Sequence, residues 1–471
     1  MGKSFRSDDL DQALLLPPSL HDWLPEDHVA HFVADIVKQL DLSAIYASYD
    51  EKDGRGLSAY APAMMVRMLL YGYCTATYSS RKIEAKTYDD VAYRYLAADE
   101  HPDHSTIADF RKRHLQALAG LFVQSLKLCQ KAGLVKLGHV AIDGTKLQAH
   151  ASKHKAMSYQ RMGETEKRLQ AEVEELLKQA AAVDAAEDEK YGQGRRGGEL
   201  PAELARRESR LAKIRAAQAE LEAEARQQAE EEKAAAEAKI AARREQEART
   251  GKKARGRAPQ VPDPDKALPK PGAQRSFTDP DSRIMPHGTQ KGSILQGYNA
   301  QAAVDGEAQV IVAAELVQDT TDNHQLVPML EQVEQNVGAK PQAVSADSGY
   351  WDPAQVEDAR LQGIDLHVAV AKEKHGSEGD ASGGGPPGDS PGQPSSLLEQ
   401  MRAKLKTAAG RNLYRMRKAI VEPVFGQIKE WRRFRRLSLR GKENVKAEWR
   451  FVCAIHNLLK LFRFREAFQM A

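Results

Sequence analysis

Residues 138–155, GHVAIDGTKLQAHASKHK, contain the segment that decides the fold class. The run HVAI is short, apolar and rich in β-branched residues, which is typical of a buried β-strand. Asp143 follows this run at once, and Gly144, Thr145 and Lys146 come next. Taken alone, Asp143 can be interpreted as a turn residue that closes the strand or as an acid held out for chemistry. The choice depends on whether acids later in the chain occupy comparable places.

Downstream of this strand, apolar strands alternate with helices. SILQGYNAQAAVD and QVIVAAELVQD read as two strands joined by a hairpin turn, and DNHQLVPMLEQVEQNVG reads as a helix capped by Asp322 or Asn323. KPQAVSADSGYW and IDLHVAVA read as further short strands with a helix between them. Three strands able to form a meander, followed by strands joined through crossover helices, predict an α/β layer arrangement.

Composition and length exclude several classes of protein. A chain of 471 residues predicts two or three units, and 41% hydrophobic residues can build a core. The charged fraction of 29% and the mean hydropathy of -0.58 indicate long solvated stretches. No run approaches the roughly 18 apolar residues of a membrane span, and the N-terminus lacks a signal-peptide core. Three distant cysteines argue against a disulfide framework or a zinc site, and we expect a cytoplasmic protein.

The N-terminal part of the chain reads as several short helices. HVAHFVADIVKQLDLSAIY has helical apolar spacing, and APAMMVRMLLYGYC opens with Pro62 at a first-turn position. Ser105 is the predicted N-cap of a later helix, and Gly133 the predicted terminator of the last one. Scattered basic residues leave two interpretations open: a helix-turn-helix-like bundle that binds DNA, or a small helical domain with ordinary surface charge.

A highly charged stretch interrupts the α/β pattern between residues 158 and 249. Leucine stripes at helical and heptad-like spacing lie on either side of EDEKYGQGRRGGELP, where glycines and a proline break the helix. This pattern predicts an inserted antiparallel helical hairpin, with spacing compatible with a coiled coil. It is equally compatible with a solvated spacer and with an arm that grips DNA or dimerises. A basic, Pro-rich linker follows it.

These observations divide the chain into four parts and one disordered loop. We expect an N-terminal helical domain, the first part of an α/β domain, a charged insertion with its linker, and the rest of the α/β domain ending in basic helices. The predicted boundaries are 1–133, 134–157, 158–272 and 273–471, with a Gly/Ser/Pro loop over 375–396.

A second acid, Asp347, stands in the same context as Asp143. It ends the run AVSAD and is followed by Ser348 and Gly349, just as Asp143 ends HVAID and is followed by Gly144. Ligands of open α/β sheets collect outside the carboxyl ends of the strands. Two carboxylates that converge there repel each other, and a hard divalent cation relieves this repulsion. Either acid alone reads equally well as a turn or cap residue.

A third acid, Glu422, lies in a strongly basic segment. Between Arg411 and Lys442 there are eleven Lys and Arg and two acids, and 11 − 2 leaves a local charge of +9. Such a density, interleaved with aromatic residues, is typical of a nucleic-acid-binding face. Lys418 and Lys429 share the helical face of Glu422. Glu422 alone can also be explained as an intrahelical ion-pair partner.

Together these motifs resemble the DDE transposases of bacterial insertion sequences, in particular the group with a tyrosine-arginine-glutamate-lysine signature. The second motif matches as Asp347, Gly349 and Tyr350, and the third as Glu422 and Lys429. Residues 100–114, EHPDHSTIADFRKRH, are similar to the N-terminal domain common in that group. The family pattern places Arg four residues before Glu and Tyr three before Arg, whereas Tyr414 and Arg417 each lie one position off.

The resemblance implies an RNase H-like catalytic domain that holds two Mg²⁺ ions, with Mn²⁺ as a substitute, through Asp143, Asp347 and Glu422. It implies a protein that cuts the ends of an insertion sequence and joins them to target DNA by two-metal phosphoryl transfer. Its partners would be double-stranded DNA and further copies of the chain, associated with the nucleoid. The alternatives are a DDE-type nuclease without strand transfer and a catalytically decayed, DNA-binding copy.

Two further sets of residues complete the prediction. Tyr350 and Trp351 either stack on a base flipped out near the element end or pack under the helix that follows. Lys429 is expected to contact a backbone phosphate near the cut. The other basic and aromatic residues of the segment expected to bind DNA are Tyr414, Arg417, Lys418, Arg432, Arg433, Arg435 and Arg436.

Overall fold

The strand predicted from HVAI lies at the centre of a mixed sheet. The structure is a computed structural model and describes residues 19–50, 59–152, 155–191, 202–250, 259–286, 292–370 and 396–464. Strand β1 (His139–Gln148) begins with Val140, Ala141 and Ile142, which have no exposed surface. Apolar residues that are buried on both faces of a strand indicate a central position in the sheet.

Within the described residues the sheet has six strands. β5 pairs with β1 along one edge and with β4 and β6 along the other, and all three pairings are antiparallel. β1 pairs in parallel with β7, and β7 in parallel with β8. These strands are β4 (Arg283–Pro286), β5 (Ile294–Asp305), β6 (Ile311–Val317), β7 (Ala343–Ala346) and β8 (Asp365–Val368). β1, β6 and β7 therefore run in one direction, and their carboxyl ends lie at the same end of the sheet.

Side chains from two helices satisfy the outer edge of β6. Asn457 accepts a hydrogen bond from the amide of Ile311 and donates one to its carbonyl, at 2.8 and 2.9 Å. Gln332 accepts from the amide of Ala314 at 2.7 Å. The helices are α10 (Leu326–Val337) and α14 (Lys442–Arg463). A covered edge cannot pair with another chain, so the sheet ends here.

Seven helices precede β1 in the described part of the chain. They are α1 (Val29–Gln39), α2 (Ser43–Asp50), α3 (Pro62–Cys74), α4 (Ser80–Asp89), α5 (Val91–Leu96), α6 (His104–Arg113) and α7 (Leu115–Lys131). Pro62 opens α3 as predicted, and Gly133 follows the C-cap of α7 with φ of +70°. The predicted N-cap Ser105 was wrong: Asp103 caps α6, because its carboxylate accepts from the amides of Ser105 and Thr106.

The N-terminal helices and the sheet share one hydrophobic core with the C-terminal helix. α7 packs along α14, and the thiol of Cys129 donates to the carbonyl of Asn457 at 3.5 Å. All three cysteines are free thiols. Among the described residues, no helix combines the length and the apolar content needed to cross a bilayer.

Two long helices lie between β2 (Ala156–Ser158) and β3 (Gln274–Ser276), which pair with each other. They are α8 (Tyr159–Tyr191) and α9 (Ala202–Thr250). Tyr159 bonds Glu222 and Arg215 bonds Glu166, each at 2.7 Å. Positions that rise along α8 therefore meet positions that fall along α9, which makes the helices antiparallel. Leu169 of the first predicted stripe and Leu211, Ile214 and Leu221 of the second enter one small core with Met162 and Ala217, whereas Leu177 of the first stripe is exposed.

The basic C-terminal segment forms three helices around a π-helical turn. α12 (Leu397–Lys406) begins with a capping box on Ser396 and Glu399, and α13 (Ala408–Gly426) follows. Residues Gln427–Trp431 are π-helical, and α14 comes after them. Residues 375–395 of the predicted loop lie outside the described part of the chain. A short helix, α11 (Pro353–Val356), lies between β7 and β8.

Candidate active site

Asp143 and Asp347 stand side by side on neighbouring parallel strands. The pairing of β1 with β7 runs from His139 opposite Ala343 to Ile142 opposite Ala346. Asp143 directly follows Ile142, and Asp347 directly follows Ala346. Adjacent strands lie about 4.8 Å apart. The structure therefore brings together the two acids that the sequence placed in matching contexts.

The expectation that Asp143 ends its strand was wrong. β1 continues to Gln148 because its other edge stays paired with β5, where Asp143 lies opposite Ala302 and Gln148 opposite Gly297. Only the pairing with β7 stops at Ile142. Asp143 thus sits within a rigid strand at the point where its neighbour turns away, and this gives its carboxylate room on that side.

The carboxylate of Asp143 is held by one cation and one amide. Arg417 on α13 donates from Nη1 to Oδ2 at 2.7 Å, and the amide of Gly144 donates to Oδ1 at 2.8 Å. Burial raises the pKa of Asp143 to about 6, against the lowering effect of Arg417 and with a further rise from the charge of Asp347. Burial and like-charge repulsion are the conditions that a bound cation would relieve.

Asp347 caps a short 3₁₀ turn formed by Ser348–Tyr350. Its Oδ1 accepts from the amide of Gly349 at 2.8 Å. Gly349 is required by close approach, since a Cβ there would lie 3.0 Å from Oδ1 of Asp347. The DSG sequence therefore fixes the direction of the Asp347 side chain at the end of β7.

Glu422 lies on an exposed side of α13, five residues after Arg417. No described group of three or more His, Cys, Asp or Glu side chains is arranged to hold a metal ion. Lys429, seven residues after Glu422 and within the π-helical turn, donates from Nζ to Oγ1 of Thr145 at 2.9 Å. Glu422 itself is solvent-exposed and makes no hydrogen bond or ion pair with Asp143 or Asp347 among the described residues, so the structure does not bring the third acid to the other two.

The residues expected to bind DNA divide into exposed and buried sets. Arg417 is buried against Asp143. Arg432 is also buried, where it donates to the carbonyl of Gln427 and lies 3.3 Å from Nδ1 of His456. The π-helical turn directs Arg432 into the core, so it has no free surface for DNA in this structure. Tyr414 is half-buried, and the exposed members of the set are Lys418, Arg433, Arg435 and Arg436.

Of the two aromatic residues after Asp347, Tyr350 is fully buried. Its hydroxyl donates to Oε1 of Gln301 on β5. Stacking on a flipped base does not fit this placement, and packing beneath the following turn does. Trp351 is half-buried and packs against the main core.

Two charged residues that sequence reasoning missed lie on the other side of β1. Asp322, in the loop after β6, accepts from Asn299 and Gln301 at 2.6 and 2.7 Å. Lys146 lies 3.8 Å from the same carboxylate. Asp322 had been taken as a possible helix cap, but the N-cap of α10 is Gln325. In the fold Asp322 lies against Gly144, where a Cβ would be 2.8 Å from its Oδ1, and the sequence carries no local signal for this approach.

Comparison with protein families adds independent information. Residues 272–458 match the family described as Transposase DDE domain, and residues 18–113 match the family described as Transposase domain (DUF772). Together the matches support a DDE transposase of the insertion-sequence type. No significant match was found among curated proteins or among solved structures. The transposase DDE match covers β3 to β8 and most of the C-terminal helices, including Asp347 and Glu422, whereas Asp143 precedes it.

The donor set of the candidate site fits a hard divalent cation. Its side chains offer carboxylate oxygens, which are the ligands that Mg²⁺ and Mn²⁺ prefer. The desolvated Asp143 and the adjacent Asp347 supply two such groups from fixed backbone positions. In the structure one oxygen of Asp143 is engaged by Arg417.

Proposed function

We propose that this chain is the transposase of an insertion sequence, which cuts the DNA at the ends of the element and joins them to target DNA. The observation that carries this proposal is that Asp143 and Asp347 directly follow the last paired residues of β1 and β7, beside a basic helix, in a chain with two transposase family matches. Repeated cutting and joining of DNA requires phosphoryl transfer, and paired carboxylates are the usual protein contribution to it.

The order of strands supports an RNase H-like catalytic domain. β1, β5 and β6 form an antiparallel meander, and β7 and β8 extend the other edge of β1 in parallel. α10 connects β6 to β7, and α13 crosses over β1, β7 and β5. Asp143, within β1, and Asp347, just after β7, lie where the pairing of these two strands ends, close to the general position of sites in such sheets.

The residues that would hold divalent cations are Asp143, Asp347 and Glu422. Two bound Mg²⁺ ions would supply activation of the attacking oxygen and stabilisation of the leaving oxygen. Glu422 is the acid that α13 must present by a local rearrangement, because it is exposed and makes no contact with Asp143 in the described structure. Arg417, which engages Asp143, would be released to a DNA phosphate by the same rearrangement.

The chain's own cations would orient the DNA. Lys429 is anchored to Thr145, two residues beyond Asp143, and so marks the side of the site along which a backbone phosphate would lie. Lys418, Arg433 and Arg436 are exposed on the same segment. Phosphate contacts of this kind set register and affinity without reading sequence. We assign end recognition to the N-terminal helices and expect the chain to act as a homo-oligomer on DNA.

The test is a cleavage and joining assay on duplexes taken from the two ends of the element that carries this gene, with Mg²⁺. We expect nicking at the ends and joined products with wild-type protein. Asp143→Asn, Asp347→Asn and Glu422→Gln should each lose nicking while retaining DNA binding in a gel-shift assay. Glu430→Gln serves as the matched control, because Glu430 is an exposed acid of the same segment that pairs with Arg435.

The outcomes separate the alternatives. Nicking without joined products would indicate a DDE-type nuclease. Binding without any nicking by the wild-type chain would indicate a decayed, DNA-binding copy and would overturn the proposal. If nicking survives Glu422→Gln but is lost in both aspartate variants, Glu422 is not a metal ligand, and the assignment of Asp143 and Asp347 stands.

A further inference from the structure

Asp322 reaches the candidate active site from a loop five residues beyond the end of β6. Both of its hydrogen-bond donors stand on β5: Asn299 Nδ2 at 2.6 Å and Gln301 Nε2 at 2.7 Å, both to Oδ1. Asn299 and Gln301 are fully buried. A loop carboxylate that accepts from two buried strand residues is fixed in place, so its position is part of the fold.

The second oxygen of Asp322 lies near Asp347. A Cβ placed on Gly349 would be 3.3 Å from Oδ2 of Asp322 and 3.0 Å from Oδ1 of Asp347. The two carboxylates therefore flank the same glycine. Gln301 links Asp322 to the turn that Asp347 caps. It donates to Asp322 and accepts from the hydroxyl of Tyr350, which is the last residue of that turn.

Lys146 places a positive charge among these acids. Its Nζ is buried and has no hydrogen-bond partner in the described part of the chain, with Asp322 Oδ1 at 3.8 Å. Burial lowers the pKa of Lys146, while Asp322, Asp347, Asp143 and Asp319 act in the opposite direction, in that order. The ammonium is thus closest to Asp322, and the charges of Asp347 and Asp143 act on it more weakly.

A second buried atom lacks a partner at the same place. Oδ1 of Asn299 has none among the described residues, and Asn299 lies opposite Lys146 in the β1–β5 register. Gly144 leaves room for this cluster, because a Cβ there would lie 2.6 Å from Gln301 Nε2 and 3.0 Å from Asn299 Oδ1. A small movement of the Lys146 ammonium would satisfy both unpaired atoms.

We propose that Asp322 is a positioning residue of the proposed transposase site, acting through Lys146 and Gln301. It neutralises Lys146 so that this cation does not repel divalent ions from Asp143 and Asp347, and it ties the turn that carries Asp347 to β5. This inference rests on the proposed function, because it assumes that the two aspartates hold the cation. Asp322 itself contacts neither substrate nor reacting atoms.

Charge arithmetic gives the direction of each substitution. Without Asp322 the site has one uncompensated positive charge beside its two acids, and without Lys146 it has one extra negative charge. A unit charge at about 10 Å in a partly buried site changes the affinity for a cation by roughly tenfold or more. Removal of both charges restores the net charge of the wild-type site.

The experiment measures Mn²⁺ binding to the full-length protein without DNA, from the electron paramagnetic resonance signal of free Mn²⁺. We expect Asp322→Asn to weaken binding by about tenfold, Lys146→Met to strengthen it by a similar factor, and the double variant to return near wild type. Thermal melts of each variant report folding separately. Glu307→Gln, an acid in the β5–β6 turn at the far end of the sheet, is the matched control and should leave binding unchanged.

Two results would overturn the inference. One is a double variant that binds Mn²⁺ as weakly as Asp322→Asn alone, which is the behaviour of a residue with a structural role only. The other is a Lys146→Met variant that binds Mn²⁺ no more strongly than wild type. Because this variant leaves Asp322 in place, it tests the inference even if Asp322→Asn does not fold.

The proposed function has its own arm in the same assay. If Asp143→Asn and Asp347→Asn leave Mn²⁺ binding unchanged, the proposed metal site is wrong whatever the other variants do. If both aspartate variants abolish Mn²⁺ binding but the double variant binds as weakly as Asp322→Asn, the role of Asp322 is wrong and the proposed metal site stands.

Discussion

Arg417 and Asp143 form an ion pair of 2.7 Å between α13 and the central strand of the sheet. The guanidinium is more deeply buried than the carboxylate, with side-chain exposures of 8% and 20%. The pair therefore connects the helix that carries Glu422 to the strand that carries Asp143. Burial acts against both charges, and each offsets that cost for the other.

Loss of the Arg417 charge should destabilise the fold. In Arg417→Met the Asp143 carboxylate stays buried beside Asp347 without its cation, so we expect a loss of about 2 kcal/mol at neutral pH, lower than for a fully buried pair because Asp143 is partly solvated. Urea unfolding measures it. Arg417→Met combined with Asp143→Asn should recover most of the loss. A double variant as unstable as the single one would mean that Arg417 acts through packing.

The glycine after Asp143 is required by close approach. Gly144→Ala would place a Cβ 2.6 Å from Nε2 of Gln301 and 2.8 Å from Oδ1 of Asp322, so these side chains must move. Overpacking of this kind typically costs about 1–3 kcal/mol. Gly138→Ala is the matched control, since no atom lies within 4 Å of its added Cβ. Equal stability of the two variants in urea unfolding would contradict this account of Gly144.

The pairing of Asp143 with Asp347 could be inferred from sequence because the signal is local. Each acid follows a short buried run and precedes a small residue, and the carboxyl ends of parallel strands share one end of a sheet. The length of β1 could not be inferred in this way, because its extension to Gln148 depends on pairing with the distant β5.

Asp322 was missed because its role depends on partners remote in the chain. In TTDNHQL it reads as an ordinary helix cap, and only the fold brings Asn299 and Gln301 to its carboxylate. Arg432 shows the reverse: a basic run predicts solvent exposure, but the π-helical turn directs this member inward against His456. Local sequence patterns indicate which secondary-structure element a residue belongs to, whereas tertiary contacts decide whether its charge is buried.

At Ile311, the outer edge of the sheet depends on the buried side-chain amide of Asn457. In Asn457→Leu the amide and carbonyl of Ile311 would lose their partners in a buried site, with an expected cost of about 2–5 kcal/mol. Chemical unfolding measures this. Asn444→Ala on the same helix is the control: its amide bonds the carbonyl of Arg440 at an exposed position, so the change should be about 0.5 kcal/mol or less. A loss for Asn457→Leu no larger than that of the control would show that the edge of β6 is satisfied in another way.

A half-buried histidine at the start of β1 should make stability depend on pH. Burial, with a smaller contribution from the nearby His367, lowers the pKa of His139 to about 4, and one ring nitrogen lies 2.8 Å from Oγ of Ser345. The unfolded chain takes up the proton near its ordinary pKa of about 6.5, before the folded chain does. The contribution of His139 is therefore fully present above about pH 6.5 and is lost as the pH falls towards 4, by no more than about 3 kcal/mol.

Unfolding free energies of wild type and His139→Gln, measured in urea between about pH 7.5 and pH 4.5, test this dependence. Gln keeps a polar group beside Ser345 but does not titrate, so the difference between the two proteins isolates His139 from the other groups. We expect the wild type to lose stability more steeply than His139→Gln across this range. Parallel curves would show that His139 is protonated equally in the folded and unfolded states, and a steeper loss in the variant would reverse the assigned direction of its pKa.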